Sequence, residues 1–130
     1  VDISPEMLKI AATKENKALN RSSYKNLFLH DVTKDISFTQ TRYDGIVSSG
    51  VFTLGHLGPE HVSKLLGLLH VYGVFVTSIK SDHYEQQGFA KELSRLVSDS
   101  RISEPKIYEV NSYDSDYEAK SMIVSFKRLS

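Results

Sequence analysis

The chain predicts an α/β fold with a mostly parallel sheet that ends in a C-terminal antiparallel strand. Three observations predict it. Short apolar runs alternate with amphipathic stretches, the order that packs helices against a parallel sheet. "LFL" at Leu27 to Leu29 is continuously apolar, as in a parallel strand covered on both faces. The last two strand-like segments have no helical pattern between them, which reads as an antiparallel pair.

The elements follow in order. Val1 to Ile3 is a strand ending. Ser4 suits a helix N-cap and Pro5 the first helical position. Glu6 places negative charge at the positive helix end, and Ile3 and Leu8 stand at the two positions of a hydrophobic staple. This helix is expected to run to about Ala18. "YKNLFLHDV" at Tyr24 to Val32 is the next strand, followed by a polar link, Thr33 to Arg42, read as a short helix or a loop carrying Phe38. Tyr43 to Ser48 is an internal strand. Gly58 and Pro59 open a helix whose Val62, Leu65, Leu66 and Leu69 form one stripe, with Gly73 as the expected C-cap. "VFVTSI" at Val74 to Ile79 is a third internal strand. A helix over Glu85 to Ser98 carries Phe89, Leu93, Leu96 and Val97 on one face. "KIYEV" and "KSMIVSFKRL" close the chain as a hairpin around a polar loop, "NSYDSDYEA".

Composition narrows the function. At 130 residues the chain reads as one domain, residues 1–130, large enough to bury a core without staples. Lys plus Arg and Asp plus Glu both number 16, so no net charge draws it to nucleic acid or an anionic membrane. The absence of cysteine excludes disulfides, thiolate metal sites and cysteine nucleophiles. No apolar run is long enough to span a bilayer, and no signal peptide is visible, so the default compartment is cytoplasmic. The chain begins with Val1, and whatever precedes it is invisible.

Ligands of parallel sheets sit at the C-terminal strand ends. Asp2, Asp31 and the stretch Ser48 to Phe52 all fall there. Asp2 can accept hydrogen bonds from the vicinal hydroxyls of a ribose, or simply place charge at a helix start. Asp31 can accept from a purine amine with the Val32 N–H beside it, or cap a turn. Ser48, Ser49 and Gly50 can leave room for a ligand, or form a tight turn without one. His56 and His61 can serve proton transfer or lie on the surface. Their i,i+5 spacing is poor for a helical metal pair. "DHYEQQ" at Asp82 to Gln87 is a candidate substrate-side loop, and His70 suits the carbonyl end of the long helix. Asp114 and Asp116 lack the spacing and flanks of a calcium loop, so no metal site is expected. Phosphate-loop and nucleophile-elbow motifs are absent.

With these residues in place, "VDISPEMLKIA", "YKNLFLHDV" and "YDGIVSSGVFTLGHLGPEHVSKLLGLLHVYGVFVTSI" together resemble the class I, Rossmann-like methyltransferases that use S-adenosylmethionine. The last stretch is most similar to the small methyltransferase-like proteins named after the Williams-Beuren syndrome chromosomal region. The resemblance covers nearly the whole chain, from the end of the family's second strand to its seventh. It implies that Asp2 binds the ribose hydroxyls of S-adenosylmethionine and that Ile3 packs on the adenine. It places Asp31 on the adenine amine, Val32 beside the ring, and Ser48, Ser49 and Gly50 along the methionine part. Phe52 to His61 would face the methyl acceptor, and Lys80 to Gln86 the opposite rim. The family's first strand, its glycine-rich loop and its first helix have no counterpart here. The expected fold is therefore Rossmann-like but N-terminally truncated.

The implied chemistry is in-line transfer of a methyl group from sulfur to a small molecule or a protein side chain, with no catalytic residue assigned. Activity of these residues alone is in question, so the second reading is a noncatalytic fragment or degenerate relative that acts by protein association. A nicotinamide-dependent oxidoreductase is permitted by Asp2 alone, but "LHDV" and "YDGIVSSGVF" favour the methyltransferase.

Overall fold

A computed structural model describes residues 1–111 and 119–130. The expected loop residues Tyr113, Asp114, Asp116, Tyr117 and Glu118 lie outside the described residues. The chain separates into two compact units, Val1–Gln40 and Thr41–Ser130.

In the first unit Asp2 and Leu29 form a single parallel bridge. The Asp2 N–H donates to the Phe28 carbonyl at 3.0 Å, and the His30 N–H to the Asp2 carbonyl at 3.0 Å. Ser4 caps the helix as expected, its hydroxyl accepting the Met7 N–H at 3.2 Å. Helix α1 (Pro5–Ala12) then stops well short of Ala18. The Thr13 hydroxyl donates to the Ile10 carbonyl at 2.8 Å, and the Asn16 side chain accepts the Leu19 N–H at 3.1 Å. Such local polar bonds compete with helix continuation. The chain folds back instead as a two-stranded antiparallel ribbon, β1 (Glu15–Asn16) with β2 (Arg21–Ser22).

The run Leu27 to Leu29, expected as a strand covered on both faces, corrects most sharply. Its one bridging residue, Leu29, is 61% exposed. Phe28 packs instead on Phe38, with ring centroids 5.2 Å apart, across the turns that occupy the polar link.

The second unit holds a four-stranded sheet in the order β3-β4-β6-β5. Its strands are β3 (Tyr43–Phe52), β4 (Leu69–Lys80), β5 (Lys106–Asn111) and β6 (Lys120–Lys127). The sheet is mixed rather than mostly parallel. β3 and β4 run parallel, whereas β6 pairs antiparallel with both β4 and β5. The reason is the tail hairpin, which inserts its second strand beside β4 and so sets two of the pairings itself.

β4 buries Phe75, Thr77 and Ile79 on one face, and their partners Phe126, Val124 and Met122 in β6 share it. Phe75 stacks on Phe126 with centroids 5.1 Å apart. Helices α3 (Ser81–Gln86) and α4 (Phe89–Ser98) follow β4. Phe89, Leu93 and Leu96 form the buried stripe of α4 expected from its spacing. The single helix expected over Glu85 to Ser98 is divided at Gly88, whose φ of +80° is the left-handed conformation glycine takes without a Cβ penalty.

Helix α2 (Glu60–Leu65) buries Val62 and Leu65, then tightens into a 3-10 turn, Leu66–Leu68. The chain becomes strand at Leu69. Gly73 is therefore not a helix cap but a residue within β4, and His70 lies in strand rather than at a helix end.

Candidate functional site

Because the Asp2 and Leu29 segments run parallel, Asp2–Ile3 and His30–Asp31 leave the bridge at the same end. A hollow of about 340 Å³ opens there, lined by Ile3, Pro5, Leu29, His30, Asp31 and Lys34. That volume falls at the small end of ligand sites, roughly 300–1,000 Å³. Ile3 is 66% exposed and Leu29 nearly as much, so the hollow has two open apolar flanks.

Asp2 stands beside this hollow without lining it. One carboxylate oxygen accepts the Ser4 N–H at 2.8 Å, which fixes the turn into α1. The other accepts no hydrogen bond among the described residues. Asp31 makes the turn-capping arrangement. Its Oδ1 accepts both the Thr33 N–H at 3.0 Å and the Thr33 hydroxyl at 2.6 Å. Its Oδ2 lies 4.0 Å from the Lys34 ammonium. The Thr33 hydroxyl and amide, aided by the Lys34 and His30 charges, hold the Asp31 carboxyl below the usual aspartate range. Turn capping thus leaves Oδ2 ionised as an acceptor on the hollow's wall. The half-buried Val32 follows, its N–H taking no acceptor among the described residues.

A titration checks this wall. The lowered carboxyl helps the turn above the ordinary aspartate range, and that help is lost as pH falls through the lowered value. The Asp31 carboxyl carbon should titrate by NMR below the ordinary value of about 3.9. Thr33→Val should move the midpoint upward. A midpoint that ignores the substitution contradicts the assignment.

His30 and Lys34 line the hollow although sequence reasoning gave them no role. The His30 Nε2 lies 3.1 Å from the Asp35 carbonyl and 3.0 Å from its carboxylate, and its ring packs on Phe38 at 5.2 Å. The spacing of Asp31 with Thr33, repeated by Asp35 with Ser37, was the available signal for consecutive side-chain-capped turns.

Ser48, Ser49 and Gly50 belong to the second unit. They form a bulge near the end of β3, with Ser49 and Gly50 exposed. Ser48 pairs with Thr77, and the next paired residue, Phe52, faces Ile79, so β3 carries extra residues between them. Gly50 supplies φ +69°, and its N–H donates to the Ser78 hydroxyl at 3.3 Å.

The histidines divide. His56 is exposed. The His61 Nδ1 accepts the Gly58 N–H at 3.2 Å and lies 3.0 Å from a Glu60 carboxylate oxygen, so it is occupied at the start of α2. His83, expected in a substrate-side loop, is in helix α3 and only 3% exposed. Its Nε2–H donates to the Leu57 carbonyl at 3.1 Å, and its ring meets Phe89 at 5.2 Å. "DHYEQQ" is thus helix up to Gln86 rather than loop, with His83 facing inward and Asp82, Glu85, Gln86 and Gln87 exposed. Among the described residues no group of three His, Asp or Glu side chains could hold a metal ion. No described helix is long and apolar enough to cross a membrane.

The open oxygen of Asp2, Asp31 Oδ2, the Val32 N–H and the apolar flank of Ile3 fit the adenosine half of S-adenosylmethionine by their chemistry.

No protein-family model matches the chain, and no curated protein does. Among solved structures, an rRNA methylase from Streptococcus thermophilus is similar at 17% identity and a TM-score of 0.39. The match covers 72% of this chain and 51% of that one, so this chain spans about half of that structure.

Proposed function

We propose that the chain binds S-adenosylmethionine through its first unit and serves methyl transfer in the manner of the small Williams-Beuren-region methyltransferase-like proteins. The observation that carries the reading is the parallel bridge between Asp2 and Leu29, from which both acidic residues emerge at one end.

In this reading Asp2 accepts the two ribose hydroxyls on its open oxygen, while its other oxygen keeps the Ser4 N–H. Ile3 covers one face of the adenine. Asp31 accepts the adenine amine on Oδ2 and Val32 donates its N–H to the ring. Thr33 keeps the Asp31 carboxylate ionised and aimed. S-adenosylmethionine supplies a methyl group on a positively charged sulfur. The protein's part is to hold the reacting atoms in line. The acceptor is a small molecule or a protein side chain.

Calorimetry with S-adenosylmethionine tests the reading. A charge-assisted hydrogen bond contributes about 1.5–3 kcal/mol, so Asp2→Asn should weaken binding by roughly 10-fold or more. The substitution preserves the oxygen that takes the Ser4 N–H, so circular dichroism should be unchanged. Absence of binding by the native chain, or equal affinity in Asp2→Asn, contradicts it.

A further inference from the structure

Between β3 and α2 the chain makes a loop, residues 53–59, to which the cofactor contacts assign no role. It turns at Gly55, whose φ is +80°, and carries Leu54 and His56 exposed. Leu57 then returns to the core at 6% exposure. The return is lightly tied by backbone, since the Leu57 N–H reaches the Val51 carbonyl at 3.4 Å, beyond the usual hydrogen-bond range.

The peptide that joins Leu57 to Gly58 is held from both sides by histidine. Its carbonyl accepts the His83 Nε2–H at 3.1 Å, and its N–H donates to the His61 Nδ1 at 3.2 Å. The two rings answer a proton differently. His83 is buried, and its Nδ1 has no hydrogen-bond partner among the described residues. A proton gained there leaves the Nε2–H bond in place. His61 accepts through Nδ1, so it must be neutral with its hydrogen on Nε2. A proton on Nδ1 removes the acceptor that the Gly58 N–H uses.

The same Nδ1 lies 3.0 Å from a Glu60 carboxylate oxygen. A lone pair facing a carboxylate is repelled, whereas a protonated Nδ1–H donates to it in a charge-assisted bond. One nitrogen thus stands between a donor that needs it neutral and an acceptor that needs it protonated. Glu60 reaches this position because residue 58 is glycine, where a Cβ would run into the Glu60 carboxylate. Among the described residues no other carboxylate lies within ion-pair distance of His61. The other titratable or charged groups on the surrounding elements are His56 in the loop, Lys64 three residues on in α2, and His83 on α3. The positive start of α2 disfavours a cation on His61, and the Glu60 charge opposes that effect.

We propose that His61 is a proton-operated latch on this loop: neutral, it holds the Gly58 N–H, and protonated, it turns to Glu60 and lets the Leu57–Gly58 peptide go. The released form binds one more proton, so the loop is held more firmly as pH rises and is freed as pH falls. Release frees the segment that presents Leu54 and His56. The latch stands apart from the cofactor proposal, because all its residues lie in the second unit.

The test is a pH titration of the isotopically labelled native chain by NMR, read on the His61 ring nitrogens and the amides of residues 53–58. The expected result is an unprotonated Nδ1 at the high-pH end and one midpoint shared by Nδ1 protonation and the Gly58 amide shift. Protection of the Gly58 amide against exchange should fall about fivefold across that midpoint, as for loss of one hydrogen bond. His61→Asn places an amide oxygen where Nδ1 stands and should make the loop signals independent of pH while circular dichroism stays native. Glu60→Gln removes the charge that receives the proton and should move the shared midpoint to lower pH. His56→Gln should leave it unchanged. A neutral His61 carrying its hydrogen on Nδ1, or a Gly58 amide indifferent to His61 protonation, would overturn the proposal. So would a loop response that survives His61→Asn or vanishes in His56→Gln, since another group would then be its source.

Discussion

Phe89→Ala is expected to cost about 3–5 kcal/mol of stability, the usual range for emptying a buried aromatic site. Phe89 is fully buried at the start of α4. Its ring meets Phe52 edge-on at 5.7 Å, His83 at 5.2 Å and Tyr84 at 6.0 Å. It therefore joins the end of β3, helix α3 and helix α4 at one point. Three surrounding aromatic rings cannot collapse into the space without leaving their rotamers, so most of the cavity should persist. Urea unfolding measures the loss, and Phe89→Leu should lose much less because volume is largely kept. Burial raises the Tyr84 hydroxyl pKa, so Phe89→Ala should also bring that value back down toward the ordinary one. A loss below about 1 kcal/mol would show that the aromatic cluster does not hold these elements together.

Gly73→Ala is expected to destabilise by about 1–3 kcal/mol through overpacking. A Cβ at this position would stand 2.9 Å from the His70 carbonyl oxygen, 3.1 Å from the Asp44 carbonyl oxygen and 3.1 Å from a Leu69 methyl. Two of these neighbours are backbone atoms that cannot rotate away. Between the pairs Tyr43–Leu69 and Gly45–Val74, β4 takes more residues than β3, and Gly73 sits in that bulge. Gly45→Ala is the matched control. Its new Cβ would meet only the Val74 carbonyl at 3.7 Å, an ordinary contact. Equal unfolding midpoints for the two variants would contradict the packing at the bulge.

What could be read from the amino acids depended on how local the cause was. Ser4 and Pro5 start α1 by bonds within four residues, and the helix begins there. The α4 stripe followed from periodicity, and the tail hairpin from two strand-like segments with no helical pattern between them. The end of α2 did not. Leu65, Leu66 and Leu69 suit a helical stripe and a buried strand equally well, and pairing of Leu69 with Tyr43 decides between them. Likewise, Leu27 to Leu29 is apolar enough for a core strand, but only long-range pairing makes a strand, and Leu29 has a single bridging partner. The small residues Ser48 to Gly50 announced a backbone irregularity, though not that it is a bulge bonded to Ser78. At the candidate site, Asp2 and Asp31 could be proposed from strand endings. The anchoring of His30 by Asp35, five residues on, needs the intervening turn to bring the two side chains together.

The most direct measurement is the amide footprint of S-adenosylhomocysteine on the isotopically labelled native chain by NMR. The expected result is a saturable perturbation of Asp2, Ile3, Asp31 and Val32 with one common dissociation constant. Perturbation of one segment without the other, or of neither, would contradict a single nucleoside held between the two parallel segments.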